Sequence, residues 1–195
     1  MIKSKKDYYY YLEADRIALG KPKLSFRVNL KEYLSRDHIW RFQRLLKKLE
    51  YYKDVKNKKS IIFKLIYLLL KIKFKNLSLK LGFSIPENVF GFGLAIIHYG
   101  TIIVNPRANI GSNCRIHACT NIGESGGVAG APVINDNIYI GPGAKIYGDI
   151  SIANNTAIAA NAAVGKSLIN ENKVIGGITA KEISDVNIKQ LIKHL

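Results

Sequence analysis

The chain has 195 residues, enough for one compact domain with an appendage, and 48% of them are apolar, as in an ordinary soluble protein. The net charge of +16 is unevenly placed, because residues 1–83 carry +15 and residues 84–195 only +1. The first eleven residues have charges and tyrosines but no apolar core, so we expect no signal peptide.

Three helices are predicted in the basic N-terminal region. They span Lys5–Leu19 (ending at Gly20), Leu30–Tyr52 and Ile61–Phe74. Apolar residues follow one side of the second helix: Tyr33, Leu34, Ile39, Trp40, Phe42, Leu45, Leu46 and Leu49. The lysines of this region have no nucleic-acid-binding motif beside them, so we expect no nucleic acid as a partner. Solvated helix faces are the simplest interpretation, with contact to an anionic membrane surface as an alternative.

The strongest apolar run, Ile61–Leu70, is interrupted by Lys64. It is too short to span a bilayer and is expected to pack as a helix against its neighbours or to lie on a membrane. Residues 80–93, with three glycines and Pro86, are predicted to connect the helices to the next part of the chain.

A six-residue repeat then fixes the fold class. Isoleucine or valine occupies eleven consecutive slots: Val104, Ile110, Ile116, Ile122, Val128, Ile134, Ile140, Ile146, Ile152, Ile158 and Val164. The residue four positions after each aliphatic is usually small or apolar, and Gly, Asn or Asp lies between. Short strands joined by tight corners, stacked so that the aliphatics form one column, make a parallel β-helix.

Two segments depart from the regular repeat. Residues 123–132 contain four glycines and are predicted to form an exposed loop, although Val128 keeps the six-residue phase. Residues 184–195 are predicted to form a short capping helix. We therefore divide the chain into a helical region (1–81), a β-helix (82–183) and a C-terminal cap (184–195).

The two cysteines, Cys114 and Cys119, lie in the repeat. Cys114 occupies an inward slot, which favours a reduced packing residue over a disulfide. We therefore expect a cytoplasmic protein, with contact to the inner face of the membrane as an alternative.

His98 is the principal candidate for catalysis. It stands one six-residue step before Val104, in a slot that later units fill with an aliphatic. An imidazole buried in that column would lose its hydration, so we expect the backbone to slip there and to present the ring to a cleft. Its ordinary pKa suits proton abstraction near neutral pH. His117, which follows Ile116 on the outside of a coil, is a candidate acceptor contact.

The sequence lacks the residue patterns that several other reaction types need. No Ser-His-Asp pattern or clustered metal ligands are present, and the Gly141-Pro142-Gly143 corner precedes no helix that could cradle a phosphate. We therefore expect no metal and no hydride chemistry. A single histidine beside a glycine-rich loop suits the transfer of an already activated group.

Three segments carry a resemblance to a known family. They are Ile96-Ile97-His98-Tyr99-Gly100-Thr101-Ile102-Ile103-Val104-Asn105, Ile110-Gly111-Ser112-Asn113-Cys114-Arg115-Ile116-His117 and Ile140-Gly141-Pro142-Gly143-Ala144-Lys145-Ile146. Over residues 82–183 the sequence resembles the hexapeptide-repeat acyltransferases, most closely the serine acetyltransferase-like branch. This resemblance implies a left-handed β-helix with three units per coil, a homotrimer or a hexamer with active sites between subunits, and acetyl-CoA as the donor.

The resemblance also assigns roles to residues. His98 matches the family's catalytic histidine. The positions that match contacts to CoA are Pro142, Ala160, Gly165 and Lys166, and Lys166 and Lys181 are cations for its phosphates. Glu124 and Glu87 are candidates for the missing carboxylate that orients the histidine, since that position aligns with Phe83 or Ser84 here. Glu124 is also a candidate acceptor contact.

Two departures bear on the acceptor. Serine acetyltransferases have an aspartate before the catalytic histidine and a second histidine before the proline that closes the loop, whereas this chain has Ile97 and Ala131. The sequence therefore favours an acetyl-CoA-dependent O-acetyltransferase acting on another hydroxyl, such as that of a sugar in surface-polysaccharide synthesis. Serine O-acetylation in cysteine biosynthesis and a non-catalytic trimeric scaffold are the alternatives.

Overall fold

The N-terminal region consists largely of helices. A computed structural model describes residues 1–23, 37–55, 60–126, 129–192 and 194–195. Its helices are α1 (Lys5–Ala18), α2 (His38–Asp54) and α3 (Ile61–Leu81). The prediction for α1 is confirmed to within one residue. For α2 the predicted residues 30–36, including Tyr33 and Leu34, lie outside the described residues, while its predicted apolar residues Trp40, Phe42, Leu46 and Leu49 are buried.

The prediction that α3 ends at Phe74 is wrong, because the helix continues to Leu81. No Gly or Pro interrupts residues 75–81, and Leu77 and Leu81 continue the side of the helix that packs on the core. Gly82 ends the helix with a left-handed φ of 77°, a conformation that costs glycine little. The connector is correspondingly shorter than predicted, since the first strand begins at Phe83.

Three sheets follow, almost all of whose strands pair in parallel. The first sheet contains, in spatial order, β1 (Phe83–Ser84), β3 (Ile102–Val104), β6 (Thr120–Gly123), β9 (Lys145–Tyr147) and β12 (Ala163–Val164). The second contains β4 (Asn109–Ile110), β7 (Val133–Ile134) and β10 (Ser151–Ile152). The third contains β2 (Ala95–Ile96), β5 (Arg115–Ile116), β8 (Tyr139–Ile140), β11 (Ala157–Ile158), β13 (Lys173–Gly176) and β14 (Lys181–Asp185).

The chain visits the three sheets in turn, so each circuit is one coil of a β-helix. Ser151 pairs with Val133, eighteen residues earlier, which is three six-residue units. Ten of the eleven repeat aliphatics are buried at the centre, and the eleventh, Val128, lies outside the described residues. Most of the small or apolar residues four positions after these aliphatics are buried too. Two of them, Thr120 and Thr156, donate their hydroxyls to the carbonyls of His117 and Ala153. The predicted parallel β-helix is confirmed.

The glycine-rich segment does not form a coil of its own. Val133 pairs with Asn109, twenty-four residues earlier, so one complete six-residue unit is left out of the stack. The extra residues follow β6, starting at Glu124, and residues 127–128 among them are outside the described part. The register therefore confirms the predicted loop.

Asparagines line one corner of the β-helix. Asn113, Asn137 and Asn155 lie one above another with φ between 55° and 60°, a region that asparagine tolerates better than most residues. The amide of Asn113 donates to Asn137 at 2.9 Å, and that of Asn137 donates to Asn155 at 2.8 Å. These hydrogen bonds give the stacked amide side chains partners at a corner whose positive φ favours asparagine.

The helices cover the N-terminal end of the β-helix. The Gln43 side chain of α2 donates to the carbonyl of Leu94 (2.6 Å) and accepts from the amide of Ile96 (3.1 Å). Asp15 of α1 accepts from the amide of Leu94 at 2.9 Å. Because a first coil has no preceding coil to pair with, these side chains replace the missing backbone partners.

A buried ionic group lies in the same interface. The Lys47 ammonium is 3.3 Å from the Glu50 carboxylate, and both are buried with Asp15. Burial by itself lowers the pKa of Lys47, but the Glu50 and Asp15 carboxylates raise it above its ordinary value. Burial raises the pKa of Asp15 to about 7, against the opposing effect of Lys47, and its Oδ2 has no hydrogen-bond partner among the described residues.

The C-terminal residues do not form the single capping helix that was predicted. Instead β14 pairs antiparallel with β13, which covers the edge of the last coil, and a short 3₁₀ turn follows at Ile188–Gln190. Ile188 and Ile192 are buried against the outer side of the third sheet, next to Ala157. The boundaries at residues 81 and 183 stay predictions.

Candidate active site

His98 lies in the corner between β2 and β3, where the register slips. Ala95 pairs with Arg115, twenty residues later, so this first coil is two residues longer than a regular one. The extra residues take His98 out of the central column and leave its ring exposed. The sequence prediction of a slip is therefore confirmed, and the catalytic role of His98 stays a prediction.

His117 stands beside His98 on the next coil. The centroids of the two rings are 6.3 Å apart, and on its other side His117 packs against Tyr139 at 4.9 Å. Its Nδ1 lies 2.9 Å from the carbonyl of Ile140. Because a carbonyl only accepts, Nδ1 carries the hydrogen and Nε2 keeps its lone pair.

The environment keeps His117 neutral. Burial lowers the pKa of His117, the hydrogen bond to the Ile140 carbonyl opposes this, and the nearby Arg115 and His98 lower it further. A neutral His117 adds no positive charge next to His98. The ring lies outside the central column, as the sequence predicts, and is half-buried between His98 and Tyr139, so it lines one side of the site.

Pro142 and Ala160 fall on the same edge of the β-helix as His98. Ile116, Ile140 and Ile158 pair successively in the third sheet, so Ala118, Pro142 and Ala160, two positions after them, stack along one corner. Gly100 lies against Ala118 at the top of this stack. We call this corner the histidine edge. It consists of Ala118, Pro142 and Ala160, and His98 stands at its head, in the two-residue insertion of the first coil. Neighbouring coils are about 4.8 Å apart, so the edge is a narrow strip of small residues below the imidazole, of which Ala118 is half-buried and Pro142 and Ala160 are exposed.

The other three residues predicted to contact CoA, two of them the lysines expected at its phosphates, lie in two places. Lys181 begins β14 and pairs with Gly176, one residue after Ile175, at the foot of the histidine edge. Gly165 and Lys166 follow β12 at the next corner, from which the glycine-rich loop also projects. Gly165 lies under the ring of Tyr147, where a Cβ would come within 2.6 Å of the ring, so a larger residue there would have to displace the ring.

Neither candidate carboxylate contacts His98 within one chain. Glu124 accepts from Asn105 at 2.8 Å and pairs with Arg107, and these bonds lower the pKa of its carboxyl. Glu87 is held by the helices, 2.9 Å from Lys53 and 3.1 Å from the Tyr67 hydroxyl. Among the described residues, no hydrogen bond reaches the His98 ring and no group of side chains could hold a metal ion.

A small cavity of about 280 Å³ borders the residue before His98. Its lining includes Ile97, Arg115 and the ion pair of Lys21 with Asp37. Arg115 and Tyr139 were not predicted as site residues. Arg115 reaches the site because it pairs with Ala95 across the irregular first coil. Tyr139 reaches it because Ile116 pairs with Ile140 rather than with Ile134, which the omitted six-residue unit hides. Assigning that unit to the loop before counting coils would have brought Tyr139 next to His117.

Known proteins resemble the β-helix in sequence. The serine acetyltransferase of Mycobacterium tuberculosis (strain ATCC 25618 / H37Rv) is 33% identical over 93 residues, which are 47% of this chain and 41% of the relative. That of Staphylococcus aureus (strain Mu50 / ATCC 700699) is also 33% identical over 93 residues, 44% of its length. The chain thus spans less than half the length of these curated relatives. No family model matches the sequence.

Solved structures resemble nearly the whole chain. Serine acetyltransferase from Brucella abortus strain S19 in complex with coenzyme A superposes with a TM-score of 0.69 at 21% identity, covering 94% of this chain and 70% of that one. The fold is the hexapeptide-repeat left-handed β-helix of the serine acetyltransferases. The Neisseria gonorrhoeae enzyme (TM-score 0.69, 22% identity, coverage 93% and 68%) and the soybean enzyme complexed with serine (0.70, 21%, 92% and 70%) share this left-handed β-helix.

Proposed function

We propose that the protein is an acetyl-CoA-dependent O-acetyltransferase. The observation that carries this proposal is the exposed His98 ring at the head of an edge of small residues, on the left-handed β-helix of serine acetyltransferases. The 33% identity with serine acetyltransferases supports the same reaction class. Acetyl transfer needs a base and a donor site, and this edge offers both.

His98 acts as the base in the proposed reaction. It removes the proton from the acceptor hydroxyl while the oxygen attacks the thioester carbonyl, giving a tetrahedral oxyanion. The C–S bond then breaks, the acetyl group stays on the acceptor oxygen, and the proton on His98 passes to the departing thiolate to give CoA. His117 stays neutral and packs beside His98. It therefore adds no positive charge that would disfavour the protonated form of His98 in the tetrahedral intermediate.

The histidine edge suits the donor. Pro142 and Ala160 present no bulky side chain, so an extended pantetheine arm can lie along them with its thioester end at His98. Lys181 at the foot of the edge, and Lys166 on the neighbouring corner, supply positive charge for phosphates. We propose these residues, with Gly165, as contacts for CoA.

Serine is the acceptor that we propose. The relatives that share this sequence repeat are serine acetyltransferases, and one similar structure is described as complexed with serine. In this chain, Arg115 and the Lys21–Asp37 ion pair line the cavity beside Ile97, so groups of both signs border a space for a small zwitterion. The similarities give no support to the sugar acceptor that Ile97 and Ala131 had favoured.

A homotrimer is the assembly that we propose. In one chain the His98 ring is open to solvent and has no carboxylate partner among the described residues, so the site is incomplete without another surface. The Glu124 loop projects from the next corner of the β-helix, where it can reach a neighbouring subunit. We keep the cytoplasm as the proposed location, because Cys114 and Cys119 are both unpaired.

Thiol release from acetyl-CoA by the purified protein tests the proposal. Serine, threonine, a set of sugars and water are compared as acceptors, and mass spectrometry identifies the acetylated product. We expect serine-dependent release with O-acetylserine as the product. Release with a sugar only would replace the acceptor but keep the reaction, and no release with any acceptor together with no CoA binding by calorimetry would overturn the reaction itself.

A further inference from the structure

Helix α3 is apolar on two opposite sides. One side faces the protein, where Leu70, Phe74 and Leu81 are buried. The other side is open, with side chains between 50% (Ile72) and 76% (Ile61) exposed. It consists of Ile61, Ile62, Leu65, Leu68, Leu69, Ile72 and Leu79, and we call it the outer face. Spacings of three, four and seven residues place these side chains on one stripe of the helix.

Lysines border the outer face on both sides. At 100° per residue, Lys64, Lys71 and Lys75 fall along one border and Lys73 and Lys80 along the other, and all five are exposed. Lys71 lies 4.0 Å from Glu87, the one acidic contact of these five lysines among the described residues. The sequence of α3 contains no Asp or Glu.

The positive charge continues beyond the helix. Lys73 and Lys80 line an open groove of about 800 Å³ between α2 and α3, together with Arg41, Arg44 and Lys48. Asp37, the acidic residue among those that line it, is paired with Lys21. The outer face therefore lies at the centre of a basic surface.

This combination of charge and exposure selects one kind of partner. No helix in the described part of the chain is long and apolar enough to cross a membrane. Contact between the outer faces of two copies would bring ten lysines together, which like-charge repulsion disfavours. An anionic lipid surface satisfies both features, since the acyl boundary accepts Ile and Leu while lysines on the borders reach the phosphates.

We propose that α3 lies in the plane of an anionic membrane surface, with its outer face in the acyl boundary and its lysines among the lipid phosphates. The contact attaches the β-helix to the membrane without inserting it. It is independent of the proposed acetyl transfer, because none of the outer-face residues belongs to the site at His98.

Vesicle binding tests this contact. The full-length protein is centrifuged with vesicles of equal parts phosphatidylcholine and phosphatidylglycerol, or of phosphatidylcholine alone. We expect binding to the anionic vesicles to be at least about tenfold tighter, and to weaken as salt is raised. Equal binding to both vesicles, or to neither, would overturn the proposal.

Paired variants locate the contact on the protein. Leu65→Ser/Leu68→Ser removes apolar contacts from the outer face, and Ile169→Ser/Ile183→Ser removes similarly exposed residues elsewhere. Lys64→Gln/Lys75→Gln is matched by Lys6→Gln/Lys189→Gln, two exposed lysines on other elements. We expect each α3 variant to lose at least about tenfold in vesicle affinity and each control to keep it. Equal losses in variant and control would overturn the assignment to α3.

Sedimentation equilibrium separates a membrane contact from an interface between copies. We expect Leu65→Ser/Leu68→Ser to keep the oligomeric state and the thermal unfolding profile of the wild type. A smaller oligomer in this variant would mean that a second copy covers the outer face and would overturn the proposal. If the wild type does not bind vesicles and the variant keeps its oligomeric state, an acidic protein would be the better partner for the outer face. That result would also overturn the membrane proposal.

Discussion

The β-helix and the helices that cover it use apolar residues differently. In the β-helix the repeat aliphatics among the described residues point inward and are buried, whereas α3 is apolar on its exposed side as well. The charge divides the same way, with +15 on residues 1–83 and +1 on the rest. Apolar periodicity therefore marks the core in the β-helix, whereas in α3 it marks two opposite sides, one buried and one exposed.

Matched alanine substitutions give the largest expected contrast between the two regions. Ile146→Ala leaves a cavity in the central column and is expected to lower the free energy of unfolding by about 2–5 kcal/mol. Leu68→Ala on the outer face of α3 is expected to change it by less than about 0.5 kcal/mol. Urea unfolding at one protein concentration measures both, and similar losses would mean that the outer face is packed in solution.

The junction between the two regions depends on Gln43. Gln43→Ala leaves the carbonyl of Leu94 and the amide of Ile96 buried without partners, so we expect a loss of about 2 kcal/mol in unfolding free energy. Arg41→Ala, an exposed change on the same helix, is the control and should cost less than about 0.5 kcal/mol. A loss no larger than that of the control would show that α2 does not cap the first coil.

The pH dependence of stability tests the same junction. Because the pKa of Asp15 is raised from 3.8 to about 7, the folded protein binds a proton there that the unfolded chain has released. This group therefore lowers the unfolding free energy as pH rises from about 4 through 7. Relative to the wild type, Asp15→Asn should be more stable at pH 8 than at pH 5, measured by urea unfolding. A pH-independent difference would mean that Asp15 titrates normally.

The smallest expected effect concerns the donor. Lys166→Ala should raise the KM for acetyl-CoA about fivefold with little change in kcat, because an exposed cation contributes only modestly to phosphate binding. Lys189→Ala is the control and should leave KM unchanged. Steady-state thiol release measures both constants. A fall in kcat at unchanged KM would place Lys166 outside the CoA contacts.

The two regions also differ in how far the sequence predicts them. The repeat identified the β-helix, its inward residues and the exposed loop, because a fixed period specifies both the strand and its neighbour. It also predicted that the backbone slips at His98. In the helical region the pattern located α1, but it missed the end of α3, since nothing in residues 75–81 is unfavourable for either a helix or a connector.

Contacts between distant segments lay beyond the sequence. The hydrogen bonds of Gln43 and Asp15 to the first coil depend on how the helices dock, which no local pattern encodes. The packing of Tyr139 on His117 depends on a twenty-four-residue step that the loop creates. The partners of the two candidate carboxylates also come from such contacts, since Glu124 pairs with Arg107 and Glu87 with Lys53.

Serine-dependent thiol release by the wild type and by His98→Ala decides whether His98 is the catalytic base. We expect the variant to lose about 100-fold to 10⁴-fold in kcat, the usual contribution of a general base, and to keep its fold and its affinity for CoA. His38→Ala, a histidine at the start of α2, should keep full activity. Near-normal turnover in His98→Ala would contradict this role, because another residue would then have to act as the base.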